Sequence, residues 1–175
     1  MAQPYLQGEV LDFGCGLGNL AIAAAERGCR VLALDAAPTA VSHLQQLAAH
    51  RGLPLRAVQS DLRGYRIDGS YDAVVSIGLL MFFDRGSALA QLAQLMSSVR
   101  PGGVAAVNVL IEGTSFLDMF DGDCYYLFKH DELSNAFAGW HILHASFDDF
   151  AAPGATVKRF ATLIARKVGS GADDA

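Results

Sequence analysis

Cysteine and basic charge are both scarce in this chain, and each shortage removes a class of protein. The three cysteines, Cys15, Cys29 and Cys124, are odd in number and lack metal-ligand spacing. That argues against a disulfide framework or a bound metal and for reduced thiols in a cytoplasm. Lysine and arginine total 13 against 18 aspartates and glutamates, a formal net charge of −5. Without a basic stripe there is no electrostatic footprint for nucleic acid. Hydrophobic residues make up 52%, yet Gly, Asp or Ser interrupts every apolar run well before the roughly 20 residues of a membrane span. The N-terminus has no basic region followed by an apolar core, so no signal peptide is expected. A cytoplasmic, soluble chain without nucleic-acid or membrane partners is the expectation. Its 175 residues suit one domain that buries about two-thirds of its unfolded surface.

What is present is concentrated in Glu9 to Leu20, E-V-L-D-F-G-C-G-L-G-N-L. Val10, Leu11 and Phe13 suit a buried strand, and Gly14, Gly16 and Gly18 permit positive φ and close backbone approach. Ala21 to Ala25 then favour a helix that ends at Gly28. The glycine spacing is G-x-G-x-G, not the G-x-G-x-x-G of a dinucleotide site. Asp12, at the mouth of the loop, repels a diphosphate and suits a cationic amine.

The remaining pattern alternates strands and helices. Arg30 to Leu34 reads as a second strand leading to Asp35, close to the ~20-residue offset at which an acid meets ribose hydroxyls. The same residue could instead cap the helix that begins near Pro38. Val41, Leu44, Leu47 and Ala48 make Pro38 to Arg51 an amphipathic helix closed near Gly52, with His43 and His50 on its wet face. Leu55 to Gln59 is a third strand and Tyr71 to Ile77 a fourth. Leu89, Leu92, Ala93, Met96 and Val99 mark the buried face of a helix capped near Asp84. Arg100-Pro101-Gly102-Gly103 ends that helix and turns into a fifth strand, Val104 to Leu110. Glu112 to Phe128 breaks periodicity and is rich in aromatics, as a specificity loop would be. His130 to Phe137 reads as a short helix. Trp140 to Phe147 and Arg159 to Arg166 read as two strands around a Pro153-Gly154 turn, and residues 168–175 as a flexible tail.

The D-x-G-x-G-x-G pattern at the end of the first strand resembles motif I of the class I S-adenosylmethionine-dependent methyltransferases. Within that class, V-L-D-F-G-C-G-L-G, the apolar L-L-M-F-F after strand four, F-K-H-D-E-L near Phe128 and R-F-A-T-L-I-A-R-K from Arg159 resemble the tellurite-resistance and thiopurine-methyltransferase-like group. The resemblance implies an α/β, Rossmann-like, doubly wound seven-stranded sheet, mostly parallel with an antiparallel C-terminal strand, over residues 1–167. It implies S-adenosyl-L-methionine as cofactor, held by Asp12, Gly14, Cys15, Gly16, Gly18, Asn19, Asp35, Ala36, Asp61, Leu62 and Ile77. Asp61 would take the adenine amine while the Leu62 backbone reads the ring edge. Gly78, Leu79, Met81 and Phe82 would face the methyl group and the acceptor, with Tyr125 and Tyr126 contributed by the loop.

Asn19 stands where the tellurite enzymes usually have Arg, and Phe147 to Lys158 lacks their His and Arg, so no catalytic base carries over. Met1 to Gly8 is too short for the group's helical lid, which is expected to be absent or very short. The expected reaction is in-line methyl transfer to a small, intrinsically nucleophilic acceptor, a thiol, selenol or oxyanion, without a dedicated base. A homodimer is possible. The alternative is a lid-less, weak or inactive relative that binds cofactor or partner. A nicotinamide dehydrogenase is disfavoured by the glycine spacing.

Overall fold

The computed structural model describes residues 2–122 and 124–169. Strand β1 (Glu9–Phe13) leads through the glycine turn into α1 (Asn19–Glu26), then β2 (Arg30–Asp35), α2 (Pro38–Arg51) and β3 (Leu55–Gln59). The chain then crosses to β4 (Tyr71–Ile77), α3 (Arg85–Ser97) and β5 (Val99–Leu110). After an irregular segment and α4 (Glu132–Ala136), the hairpin β6 (His141–Ala152) and β7 (Thr156–Arg166) closes the sheet. The strand order is β3-β2-β1-β4-β5-β7-β6. The first five strands pair in parallel, while β7 runs antiparallel to both β5 and β6. Because the chain winds outward in both directions from β1 and β4, a crevice opens at their carboxyl ends, where ligands bind in such sheets.

Alternation along the strands builds two cores. Leu11, Phe13 and Val74 point to the layer of α3 and α4 with Leu92, Leu95, Phe128 and Phe137. Val10, Val31 and Val75 point the other way, against Ala21, Ala24 and Leu44 of α1 and α2. Alanine on α1 lets that helix lie close to the strands beneath the glycine loop. At the opposite end of the sheet, Arg100 pairs with both Glu9 and Asp72, and Asp72 Oδ2 accepts from the Glu9 N–H at 2.7 Å. Among the described residues no helix is long and apolar enough to cross a membrane.

The structure alters several sequence expectations. The Arg100-Pro101-Gly102-Gly103 turn lies inside β5, where the register with β4 shifts between Tyr71 and Ala73 and Gly102 takes φ 78°. The buried face of α3 is Ala88, Gln91, Leu92 and Leu95, and Ala93 is exposed. Gln91 goes inside because its amide donates to the carbonyls of Arg63, at 2.9 Å, and Tyr65, at 3.0 Å. The short helix spans only Glu132–Ala136. β6 continues to Ala152 because its pairing with β7 runs on to the hairpin turn. The expected tail lies outside the described residues beyond Gly169. Replacing Gln91 by Leu removes both bonds and leaves the Arg63 carbonyl without this donor, while the Tyr65 carbonyl keeps the Gln94 amide at 3.1 Å, for a loss of about 1 to 3 kcal/mol in all. Urea denaturation should show a lowered midpoint and an unchanged slope.

Candidate functional site

The glycine loop is tied to the neighbouring strand by its own backbone. Gly14 and Cys15 both donate N–H to the Leu34 carbonyl at 2.9 Å, and the Gly16 N–H donates to Asp35 Oδ2 at 2.7 Å. Asp35 Oδ1 accepts from the Ala37 N–H at 2.9 Å, so the acid also orders the start of α2. The capping expectation is not met, because the N-cap of α2 is Ala37 and no side chain caps its first turn; each Asp35 oxygen keeps a further lone pair for the ribose hydroxyls expected there. Two glycines are dictated by protein contacts: a Cβ on Gly14 would sit 2.7 Å from Leu79, and one on Gly18 would sit 2.5 Å from Leu44. Gly16 is different. It also has positive φ, yet no atom lies within 4 Å of where its Cβ would be, so the loop presents an open cradle there.

Asp12 lies under this loop and is 4% exposed. Burial pushes its carboxyl up to about 7; a hydrogen bond from the Ala21 backbone opposes the rise and the like charge of Asp35 adds to it. The Cys15 thiol is pushed up to about 12 by burial and then by the charges of Asp12 and Asp35, which keeps it a thiol. Asn19 opens α1 and is exposed, as is Ala36 beyond β2. Asp61 is exposed past the end of β3, its Oδ1 accepting from the Arg63 N–H at 3.1 Å. The Leu62 side chain is buried in the core, leaving its backbone for any ligand contact. Asp12, Asp35 and Asp61 thus belong to the adjacent strands β1, β2 and β3 and the turn just after β3.

The segment after β4 closes the other side. Ile77 is 38% exposed, Gly78 takes φ 68° and donates to the Asn108 carbonyl at 3.0 Å, and Leu79 packs over Gly14. Met81 is fully buried, and its carbonyl accepts from the Tyr126 N–H at 3.0 Å. Phe82 meets Phe120 edge-on with centroids 5.2 Å apart, and Phe120 stacks on Tyr125 at 4.4 Å. Tyr126 turns away from this group to donate its hydroxyl to Glu132 at 2.5 Å. Of the expected acceptor-facing residues, Phe82 and Tyr125 therefore form an aromatic cluster, and Met81 and Tyr126 anchor the loop.

A cavity of about 330 Å³ lies beyond Ile77, on the face of the sheet that also carries α1. Its wall includes Leu20, Ile77, Asn108, Asp148, Phe160 and Thr162. Only Ile77 was singled out from sequence. The signal that could have found Asp148 is the alternation His144, Ser146, Asp148, Phe150, which places these residues on one face of β6.

The family model described as "Methyltransferase domain" matches residues 10–103, from β1 into β5. Over 92% of its length the chain is 30% identical to hemagglutinin 1 of Eikenella corrodens, covering 55% of that protein. The solved structure of TehB from Haemophilus influenzae superposes with a TM-score of 0.83 at 21% identity, over 95% of this chain and 59% of that one. A magnesium protoporphyrin IX methyltransferase from Synechocystis with bound SAH (S-adenosylhomocysteine) gives a TM-score of 0.70 at 23% identity, over 95% of this chain and 77% of that one. The chain spans about half the length of the curated relatives it matches. A family match over more than half the chain, on a sheet of this order with a D-x-G-x-G-x-G loop, means that the chain belongs to the S-adenosylmethionine-dependent methyltransferase family.

Proposed function

We propose that this chain transfers the methyl group of S-adenosylmethionine to a small acceptor that is nucleophilic as it arrives, in the manner of the tellurite-resistance and thiopurine group. The observation that carries the reading is the open cradle at Gly16, held in place by Asp35. A loop whose middle glycine meets no protein atom has room for a ligand against its backbone. The carboxylate beside it can accept from a vicinal diol, and Asp61 at the next strand can take an exocyclic amine. These residues fit an adenosyl group.

When bound, the cofactor supplies a methyl group activated on a sulfonium. The chain's own residues position and dry the approach to it. Gly14 to Gly18 set the backbone surface, Asp35 the ribose and Asp61 the adenine. Residues 77–83, I-G-L-L-M-F-F, carry no titratable side chain, so they exclude water and offer no base. Placement at roughly 3 to 3.5 Å in line contributes several kcal/mol to lowering the barrier. The fold similarity to TehB and the F-K-H-D-E-L and R-F-A-T-L-I-A-R-K segments support the group assignment.

Two measurements check this reading. Calorimetric titration of S-adenosylhomocysteine into Asp35→Ala should show affinity ten- to a hundredfold weaker than in the wild type, matching about 1.5 to 3 kcal/mol for a charge-assisted hydrogen bond. An unchanged affinity would remove Asp35 from the site. The second is a pH series on Asp12. Its folded-state pKa, near 7, lies above the 3.8 of an unperturbed aspartate, so the folded protein binds the extra proton between these values. Stability should therefore fall as pH rises from about 4 to 7, by up to ~4 kcal/mol, and level off above. Asp12→Asn should flatten that slope and raise the melting temperature at pH 8.

A further inference from the structure

The cavity beyond Ile77 has a chemistry that the glycine loop does not explain. Two of its walls are apolar, built from Ile77 and Leu20 on one side and Phe150 and Phe160 on the other. The two phenylalanine rings meet edge to face with centroids 5.8 Å apart. Between them Asp148, Asn108 and Thr162 supply the polar atoms. Asn108 Nδ2 donates to Thr162 Oγ1 at 2.8 Å, which commits one of its two N–H groups and leaves its carbonyl oxygen as an acceptor. Asp148 Oδ2 accepts from the Ser146 hydroxyl at 2.8 Å. Among the described residues Asp148 has no ion pair, and its Oδ1 has no hydrogen-bond donor.

Among the described residues no Lys, Arg or His lines the cavity. On the same face, His144 pairs in register with Ile164 and Lys158 with Phe150, but neither side chain forms part of the wall. The Lys158 ammonium instead lies 4.7 Å from the centroid of the Phe116 ring. A pocket with an unpaired carboxylate, an amide acceptor and two aromatic rings favours a cation with an apolar body, and opposes an anion. Its volume is that of a small-molecule site. Through Leu20 and Ile77 it adjoins the glycine loop's helix and the end of β4, where the methyl group is delivered in the reading above.

We propose that this cavity is the acceptor site and that Asp148 selects an amine: a small primary or secondary amine carrying an aromatic or aliphatic body. This rests on the methyltransferase reading for the cofactor and departs from it on the acceptor: an amine that arrives as its ammonium and gives a proton to Asp148 replaces a thiol, selenol or oxyanion that is nucleophilic as it arrives. The amine enters as its ammonium ion and donates to Asp148 Oδ1. One proton passes along that bond to the carboxylate and on to solvent through the open mouth of the cavity. The freed nitrogen lone pair forms the N–C bond to the methyl carbon as the C–S bond breaks, its electron pair remaining on sulfur. The product is the methylated ammonium ion, and the sulfonium becomes a neutral thioether.

The test compares four probes of one skeleton, 2-phenylethylamine, 2-phenylethanol, 2-phenylethanethiol and 3-phenylpropionate, titrated into the ¹⁵N-labelled chain. Amide shifts at Asn108 and Thr162 report occupancy. The amine is expected to bind at least tenfold more tightly than the alcohol, thiol or carboxylate. Asp148→Asn should abolish that preference while leaving alcohol binding in place. Asp149→Asn should not change it, because Asp149 sits on the opposite face of β6 and pairs with Arg159 at 3.1 Å. Equal binding of amine and carboxylate, or an amine preference that survives Asp148→Asn, would overturn the inference. A parallel S-adenosylhomocysteine titration keeps the two readings separate. Loss of cofactor binding counts against the methyltransferase reading alone, while the probe series decides the chemistry of the cavity.

Discussion

The Asp35 carboxylate is the constraint on which the rest of the site depends. One oxygen holds the Gly16 N–H and the other the Ala37 N–H, so a single side chain fixes both the loop after β1 and the entry into α2. A glycine-rich turn has high conformational entropy and no side chains to pack. Its order must come from outside, and here it comes from β2: the Leu34 carbonyl takes two loop N–H groups and the next residue takes a third. The cradle at Gly16 can then stay open without the loop collapsing into it.

The same arrangement accounts for the electrostatics. Asp12 is buried within the influence of Asp35, and desolvation together with that like charge drives its proton affinity up. Such perturbed acids cluster where a ligand is handled. Burial, and then the charges of Asp12 and Asp35, raise the Cys15 thiol as well, so the cysteine in the loop is kept un-ionised. The acid set continues on the far side of Ile77, where Asp148 lines the cavity beside Asn108 and Thr162. The two halves of the crevice thus both carry acidic side chains, which suits a cofactor bearing an amino group and a sulfonium.

Most of the fold was legible because its signals are local. Pro38 and Gly52 bracket α2, with Gly52 at φ 63° closing it, and the β3 and β4 boundaries follow from short apolar runs cut by polar turns. The glycine loop was legible because spacing alone separates it from a dinucleotide turn. What was hidden depends on distant pairing. β6 is an edge strand with few buried residues, so its alternation of His144, Ser146, Asp148 and Phe150 carries no hydrophobic stripe, and its extent is set by β7. The inward turn of Gln91 required knowing that two carbonyls of the 63–65 loop lie within reach of its amide. Leu62 illustrates the remaining difficulty: a residue expected at the adenine through its backbone has a side chain that belongs to the core.

A map of backbone amide shifts on adding S-adenosylhomocysteine to the ¹⁵N-labelled chain addresses the cradle directly. Perturbations centred on Gly14 to Gly18, Asp35 to Ala37 and Asp61 to Leu62, together at three neighbouring strand ends, are the expected result. A saturable response confined to other strands, or none at millimolar ligand, would contradict the assignment of this loop as the cofactor site.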